Sequence, residues 1–134
     1  MVEIIILSHG ELCKALISTA EMILGRQDDI TAIGCGADEN MNTFKERVQK
    51  AFCETNSKNK LVLTDLFGGS PCNIALQLTM NENVTCITGM NLPMLLVALA
   101  ERENSSVDEL AEKCVNVGKD GILLANLQVK VSEG

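Results

Sequence analysis

The feature that most constrains the fold is an unbroken apolar run, residues 4–7, that leads through Ser8 into His9, the only histidine of the 134-residue chain. Such a run, without polar alternation, is typical of a strand buried on both faces, as in a parallel sheet. Gly10 then allows a turn, and apolar residues recur at helical spacing up to Leu24. His9 is therefore predicted between a first strand and a first helix, where ligands bind in open α/β sheets.

The alternation of strand and helix patterns continues along the chain. Short apolar segments at residues 30–33, 61–64 and 84–87 predict three further strands, and segments of helical spacing lie between them. The final segment is different, because Leu127 and the valines after it alternate with polar residues. Alternation indicates a strand with one solvent-exposed face, so an edge strand is predicted there.

Local signals predict where several helices begin and end. Gly25 and Gly118 are predicted to close helices. Ser70 is predicted as an N-cap with Pro71 in the first helical position, and residues 106–109 match a capping box. The order βαβαβαβααβ predicts one domain over residues 1–134, a doubly wound α/β fold with a mostly parallel four-stranded sheet flanked by helices and a C-terminal edge strand.

Composition excludes several classes of function. The formal net charge is −7 and there is no basic cluster, which argues against nucleic acid or an anionic membrane as a partner. There is no apolar run of about 18 residues, and the first residues do not resemble a signal peptide. The closest two of the six cysteines are 14 positions apart, so no C-x-x-C metal or redox spacing occurs. Reduced core thiols and a cytoplasmic location are expected, with no metal and no cofactor.

Three loops are predicted to meet at the carboxyl edge of the sheet. One carries His9, and the second carries Asp65, where a carboxylate on one ring nitrogen would fix the tautomer and leave the other nitrogen free to attack. In the same loop the backbone of Gly68 and Gly69 could approach an anion, and the amides at the start of the Ser70 helix could hold a phosphate. This combination predicts a phosphohistidine site.

The third loop contains Asn91 and Pro93, which are predicted to line the site or contact a partner. Each element also has a simpler explanation: Asp65 could cap a turn, the glycines could form an ordinary loop, and Asn91 with Pro93 could begin a helix. The glycine segment matches neither the G-x-x-x-x-G-K-[ST] nor the G-x-G-x-x-G pattern, which excludes a P-loop and a Rossmann fingerprint.

These stretches carry a family resemblance. Residues 6–10, 20–25, 65–73 and 89–95 resemble, in order and spacing, the IIA domain of the mannose family of the bacterial phosphoenolpyruvate-dependent sugar phosphotransferase system. The similarity extends over nearly the whole chain. It implies that His9 accepts a phosphoryl group from the phosphocarrier protein HPr and passes it to a IIB partner, with Asp65 in support.

The resemblance also implies the assembly around the chain. We expect a homodimer in which the C-terminal strand crosses to the partner's sheet, a IIB domain outside these 134 residues, and membrane IIC and IID subunits that are contacted indirectly. The protein would then be cytoplasmic and could lie peripherally at the membrane through these subunits. Two alternatives stay open: a phosphorylation-sensing regulatory module of the same fold, and a small α/β binding protein with a structural His9.

Overall fold

Strands and helices alternate through most of the computed structural model, which describes residues 1–55 and 57–133, with side chains up to residue 129. The strands are β1 (Glu3–His9), β2 (Ile30–Cys35), β3 (Lys60–Thr64) and β4 (Val84–Ile87). The helices are α1 (Leu12–Leu24), α2 (Met41–Glu54), α3 (Ser70–Leu78), α4 (Leu92–Glu101), α5 (Val107–Asp120) and α6 (Ala125–Glu133). Within these ranges no helix has the length and apolar character needed to cross a membrane.

The four strands form one parallel sheet in the order β2-β1-β3-β4, which confirms the predicted four-stranded α/β architecture. The chain moves in one direction from β1 to β2 and in the other from β2 to β3 and β4. Helix α1 lies on one face of the sheet, and α2 and α3 lie on the other. A common right-handed crossover requires this change of face when the direction reverses. The reversal leaves a topological switch point between β1 and β3.

Strand β1 is the centre of the packing, as its apolar run predicts. Ile4 and Ile6 belong to the core beneath α1, α4 and α5, whereas Ile5 and Leu7 belong to the core beneath α2 and α3. All four side chains are fully buried. β1 also pairs with a neighbouring strand along each edge. The strand is thus fixed on both faces and both edges, and it ends at His9.

The predicted caps are partly confirmed. Gly25 closes α1 with φ +84° and donates its amide to the Glu21 carbonyl, and the Ser106 hydroxyl accepts the Glu109 amide at the start of α5. The prediction for Ser70 is wrong by one residue. The Gly69 carbonyl accepts the first helical bond of α3, from Asn73, so Gly69 is the N-cap and Ser70 the first helical residue.

The prediction that Gly118 closes α5 is wrong, because the helix continues to Asp120. Gly118 is buried within the helix, where a Cβ would lie 2.9 Å from the Met94 Cε atom. Its carbonyl accepts a 2.9 Å hydrogen bond from the Asn91 side chain. A glycine is therefore used here for close packing of α4 on α5 and not for a left-handed cap.

The predicted C-terminal edge strand is also wrong, since residues Ala125–Glu133 form α6. The Leu127 and Gln128 amides both donate to the Leu124 carbonyl, which begins the helical bonding. No strand of the described sheet pairs with this segment. A helix pairs its backbone groups within its own segment, whereas a strand needs a neighbouring strand for this pairing.

All six cysteines are free thiols. Cys13, Cys72 and Cys114 are buried, which confirms the interpretation of these three as small core residues. Burial raises the pKa of the Cys114 thiol to about 11. For Cys86, burial and, to a smaller extent, the neighbouring Cys72 raise the pKa to about 12. At neutral pH both thiols are protonated and poorly nucleophilic.

Candidate functional site

His9 and Asp65 lie on the two sides of the switch point. His9 is the last residue of β1, and Asp65 directly follows β3, the neighbouring strand. Leu7 pairs in register with Thr64, so His9 and Asp65 both lie at the carboxyl edge of the sheet. In open α/β sheets this crevice is where ligands bind. The topology thus brings together two residues that are 56 positions apart in sequence.

One carboxylate oxygen holds the histidine at two points. Asp65 Oδ2 accepts the His9 backbone amide at 2.8 Å and lies 2.8 Å from His9 Nδ1. Because an ionised carboxylate can only accept hydrogen bonds, the proton of the neutral ring belongs on Nδ1. His9 Nε2 then carries the lone pair. The imidazole is about half exposed, at 51%, whereas the Asp65 side chain is only 10% exposed.

Opposing influences act on the Asp65 carboxyl. Burial raises its pKa, and Oδ1 is buried with no hydrogen-bond partner among the residues described. The hydrogen bonds from the His9 amide and ring, with the charge of the ring, together outweigh burial and hold the pKa of Asp65 below its usual range. Asp65 is therefore a carboxylate at neutral pH, as the Nδ1–H tautomer requires.

The loop from β3 to α3 leaves space beside the ring. Gly68 has φ +85°, a left-handed conformation that favours glycine. Gly69 faces the histidine: a Cβ at this position would lie 2.8 Å from His9 Cε1 and 3.3 Å from Nε2. Ser70 follows as the first residue of α3, whose opening amides carry the partial positive charge of a helix N-terminus. Nε2 therefore faces a backbone without a side chain at Gly69, close to a helix end suited to an anion.

Ser8 supports this turn and was not singled out from the sequence. Its side chain is fully buried, and its hydroxyl accepts the Cys13 amide at 2.9 Å. The N-cap residue of α1, Glu11, makes no side-chain cap hydrogen bond, so Ser8 satisfies an opening amide of α1 from the preceding strand. The sequence signal that could have indicated this role is a polar residue at the end of an otherwise apolar, buried run.

Asn91 and Pro93 make structural contacts with α4 and with the C-terminal end of α5. The Asn91 side chain accepts the Met94 amide at 3.0 Å and donates to Gly118, which caps α4 and ties it to α5. Pro93 lies in the first turn of α4 and packs against Gly121. These contacts explain both residues without a ligand, and a role in lining the site or meeting a partner stays a prediction.

Comparison with known proteins identifies the family of this chain. The family model of EIIA-man, described as the phosphotransferase system (PTS) fructose IIA component, matches residues 3–115. The chain belongs to the EIIA-man family. The site described above thus occurs in a phosphotransferase component of the PTS, of the mannose-family IIA type.

Individual relatives support the assignment. The chain is 35% identical over 124 residues to the PTS mannose-specific EIIAB component of Escherichia coli K12, covering 90% of this chain but only 38% of that protein. It is 30% identical over 112 residues to the fructose-specific EIIA component of Bacillus subtilis, covering 82% and 77% of the two chains. The crystal structure of EIIA from Streptococcus agalactiae superposes with a TM-score of 0.88 at 30% identity, covering 95% and 99%.

A side chain at position 69 should disturb the ring without unfolding the protein. Gly69 has an extended backbone, φ −77°, that valine can adopt, but its Cβ would displace the imidazole. In Gly69→Val we expect phosphoryl transfer to His9 to fall by about 100-fold or more, because small misplacements of reacting groups cost about this much. Gly69→Ala should have a smaller effect. Stopped-flow assays measure the transfer rate, and thermal melts measure the stability. Normal transfer in Gly69→Val would show that the anion is bound elsewhere.

Asp65→Asn should separate charge from shape. The amide has the size of the carboxylate but neither stabilises a cationic ring nor compels the proton onto Nδ1. We expect transfer to slow by about 100-fold or more. The melting temperature should fall only as far as the loss of the charged contact with His9 requires, and the protein should stay folded. Transfer at the parent rate would show that the contact with His9 is structural only.

Proposed function

We propose that the protein is a phosphohistidine carrier that accepts a phosphoryl group from phosphorylated HPr on His9 and passes it to a IIB partner for sugar uptake. The observation that carries this proposal is the Asp65 contact, which occupies Nδ1 and leaves Nε2 as the free nucleophile beside the opening created by Gly69. Membership of the EIIA-man family supports the same role.

The chemistry follows from this arrangement. The Nε2 lone pair attacks the phosphorus of the phosphorylated donor, a new N–P bond forms, and the donor's own bond to phosphorus breaks with its electron pair returning to the donor. The ring gains positive charge during the step, and the Asp65 carboxylate, 2.8 Å from Nδ1, stabilises it. The amides that open α3 and the backbone of Gly68, Gly69 and Ser70 stabilise the phosphoryl oxygens. Transfer to IIB reverses the sequence.

A protein donor requires an accessible surface, and the site has one. The half-exposed ring lies next to a loop whose Leu66 and Phe67 side chains are also exposed, Phe67 at 76%. Exposed apolar side chains beside a reactive group suit contact with another protein. HPr and IIB would use this surface in turn, whereas the membrane IIC and IID subunits would be reached only through IIB.

The wider assignment rests on the relatives. The chain spans 38% of the length of the mannose-specific EIIAB proteins it matches, so a IIB function is proposed for a separate domain or protein. The relatives include mannose-, fructose- and sorbose-specific components. Sugar selectivity would belong to the membrane subunits, with this component in the cytoplasm and peripheral to the membrane.

Phosphorylation of His9 tests the proposal directly. Incubation with phosphoenolpyruvate, enzyme I and HPr should add one phosphoryl group by intact-mass spectrometry, labile in acid and persistent in base. His9→Ala should abolish the adduct while leaving the protein folded, since the ring is half exposed. A phosphoryl group on another residue, or an adduct in His9→Ala, would contradict the carrier role and favour a binding protein with a structural His9.

We also propose that the protein forms a homodimer through the segment after Gly121. Ile122, Leu123 and Leu124 are 60–76% exposed, and Leu127 and Val129 in α6 are more than half exposed. A contiguous apolar patch of this kind marks an interaction surface. A second copy would cover it as a closed two-fold pair.

Deletion of residues 122–134 should convert the dimer to a monomer, as measured by light scattering, because the apolar contact is removed. Leu123→Ser should weaken the dimer in the same direction. Met80→Ser is the control, since Met80 is also an exposed apolar side chain and lies elsewhere, in the turn after α3. A monomeric parent, or an unchanged dimer after deletion, would show the proposal to be wrong.

A further inference from the structure

Gly34, near the end of β2, leaves room for the turn that carries His9. A Cβ on Gly34 would lie 3.0 Å from the Gly10 carbonyl carbon and 2.0 Å from its oxygen, and real Cβ atoms do not come as close as the second distance. The obstacle is backbone, which cannot rotate away as the end of a side chain can. Gly10 directly follows His9 and has φ +58°. The turn from β1 to α1 therefore rests directly on the bare backbone of Gly34.

The same part of β2 is bonded to this turn. His9 pairs in register with Cys35, and the Gly10 amide donates to the Cys35 carbonyl at 2.8 Å. The Gly10 carbonyl also accepts the Ser8 hydroxyl at 3.4 Å. A shift of Gly10 away from Gly34 would thus disturb the hydrogen bonds on both sides of His9.

A charged clamp holds Gly34 from the side of α2. Arg47 donates to the Gly34 carbonyl from Nη1 at 3.1 Å and from Nη2 at 3.3 Å. Its Nη1 also contacts both carboxylate oxygens of Glu39, at 2.7 and 2.9 Å, and Glu39 accepts the Gly36 amide at 3.1 Å. Charge-assisted bonds of this kind are stronger than neutral ones. The guanidinium lies 5.9 Å from the ring centroid of Phe44, a fully buried core residue, which anchors the clamp.

From these contacts we infer that Gly34 is a positioning residue for His9 and that Arg47, with Glu39, holds it in place. Gly34 does not touch the imidazole. It sets how closely the β1–α1 turn approaches β2. The position of this turn determines whether Nδ1 contacts Asp65 and whether Nε2 faces Gly69. The inference deepens the proposed function and rests on it for the transfer measurement, but not for the tautomer measurement below.

Gly34→Ala tests the inference, with Gly36→Ala as the matched control. A Cβ on Gly36 would lie 3.5 Å from the Glu39 Cβ atom, an ordinary contact, so the control adds the same methyl group nearby without a clash. In Gly34→Ala we expect the rate of His9 phosphorylation by phosphorylated HPr to fall by about 100-fold, the cost of a misplacement near 1 Å. Gly36→Ala should transfer at the parent rate.

The tautomer of His9 distinguishes positioning from a general loss of stability. His9 is the only histidine, so the Nδ1 and Nε2 signals in ¹⁵N NMR come from one ring and can be followed across pH. The folded parent should show the Nδ1–H form, and folded Gly34→Ala should show an increased share of the Nε2–H form. A stability effect alone would change the unfolded fraction and leave the folded-state signal unchanged.

Arg47→Gln decides the question if Gly34→Ala does not fold. It removes the clamp, and Lys50→Gln, which removes an exposed ion pair to Glu54 on the same helix, is its control. Arg47→Gln should change the His9 tautomer and slow transfer in the same direction, by less than Gly34→Ala. Parent-like signals in folded Gly34→Ala, or in Arg47→Gln when Gly34→Ala is unfolded, would overturn the inference. Failure of the parent to accept a phosphoryl group would instead overturn the proposed function.

Discussion

The whole structure depends on the burial of β1 on both faces and its pairing along both edges. Ile4 and Ile6 face one helical layer and Ile5 and Leu7 face the other, so the strand can neither rotate nor slip by one residue without exposing one set. Register fixed in this way is carried to the end of the strand. His9 therefore begins its turn from a rigid position, and a rigid position is what group transfer requires.

The features predicted correctly from the sequence are those that local sequence patterns determine. The apolar run before His9 is long and uninterrupted, and a parallel sheet is the ordinary environment for such a strand. Asp65 could be placed near His9 because strands of one parallel sheet end at the same edge. The Ser106 cap was also predictable, since the capping residue and its partner amide lie in one turn.

The features that were missed depend on a neighbour distant in sequence. Gly118 is a packing glycine because α4 lies against it, and the sequence pattern alone made it a helix end. The role of Gly34 requires knowledge that β2 lies beside β1. Residues 125–133 alternate as a strand would, but strand formation needs a second strand with free hydrogen-bonding groups, and none in the described chain pairs with them. In each case the deciding contact is tertiary, whereas the signal was local.

The charge of Asp65 connects stability with the proposed chemistry. A folded pKa below the ordinary value of 3.8 means that the contact with His9 contributes its full stability above that value and loses it as the pH falls through the lower folded pKa. The carboxylate is thus fully charged throughout the neutral range. In the proposed transfer this charge would favour the cationic ring, yet it would repel the oxygens of a phosphoryl group on Nε2. A group held by imidazole and backbone amides next to a fixed negative charge is retained less firmly than one held by arginine or lysine. Such an arrangement suits a carrier, which has to release the group to the next protein as readily as it accepts it.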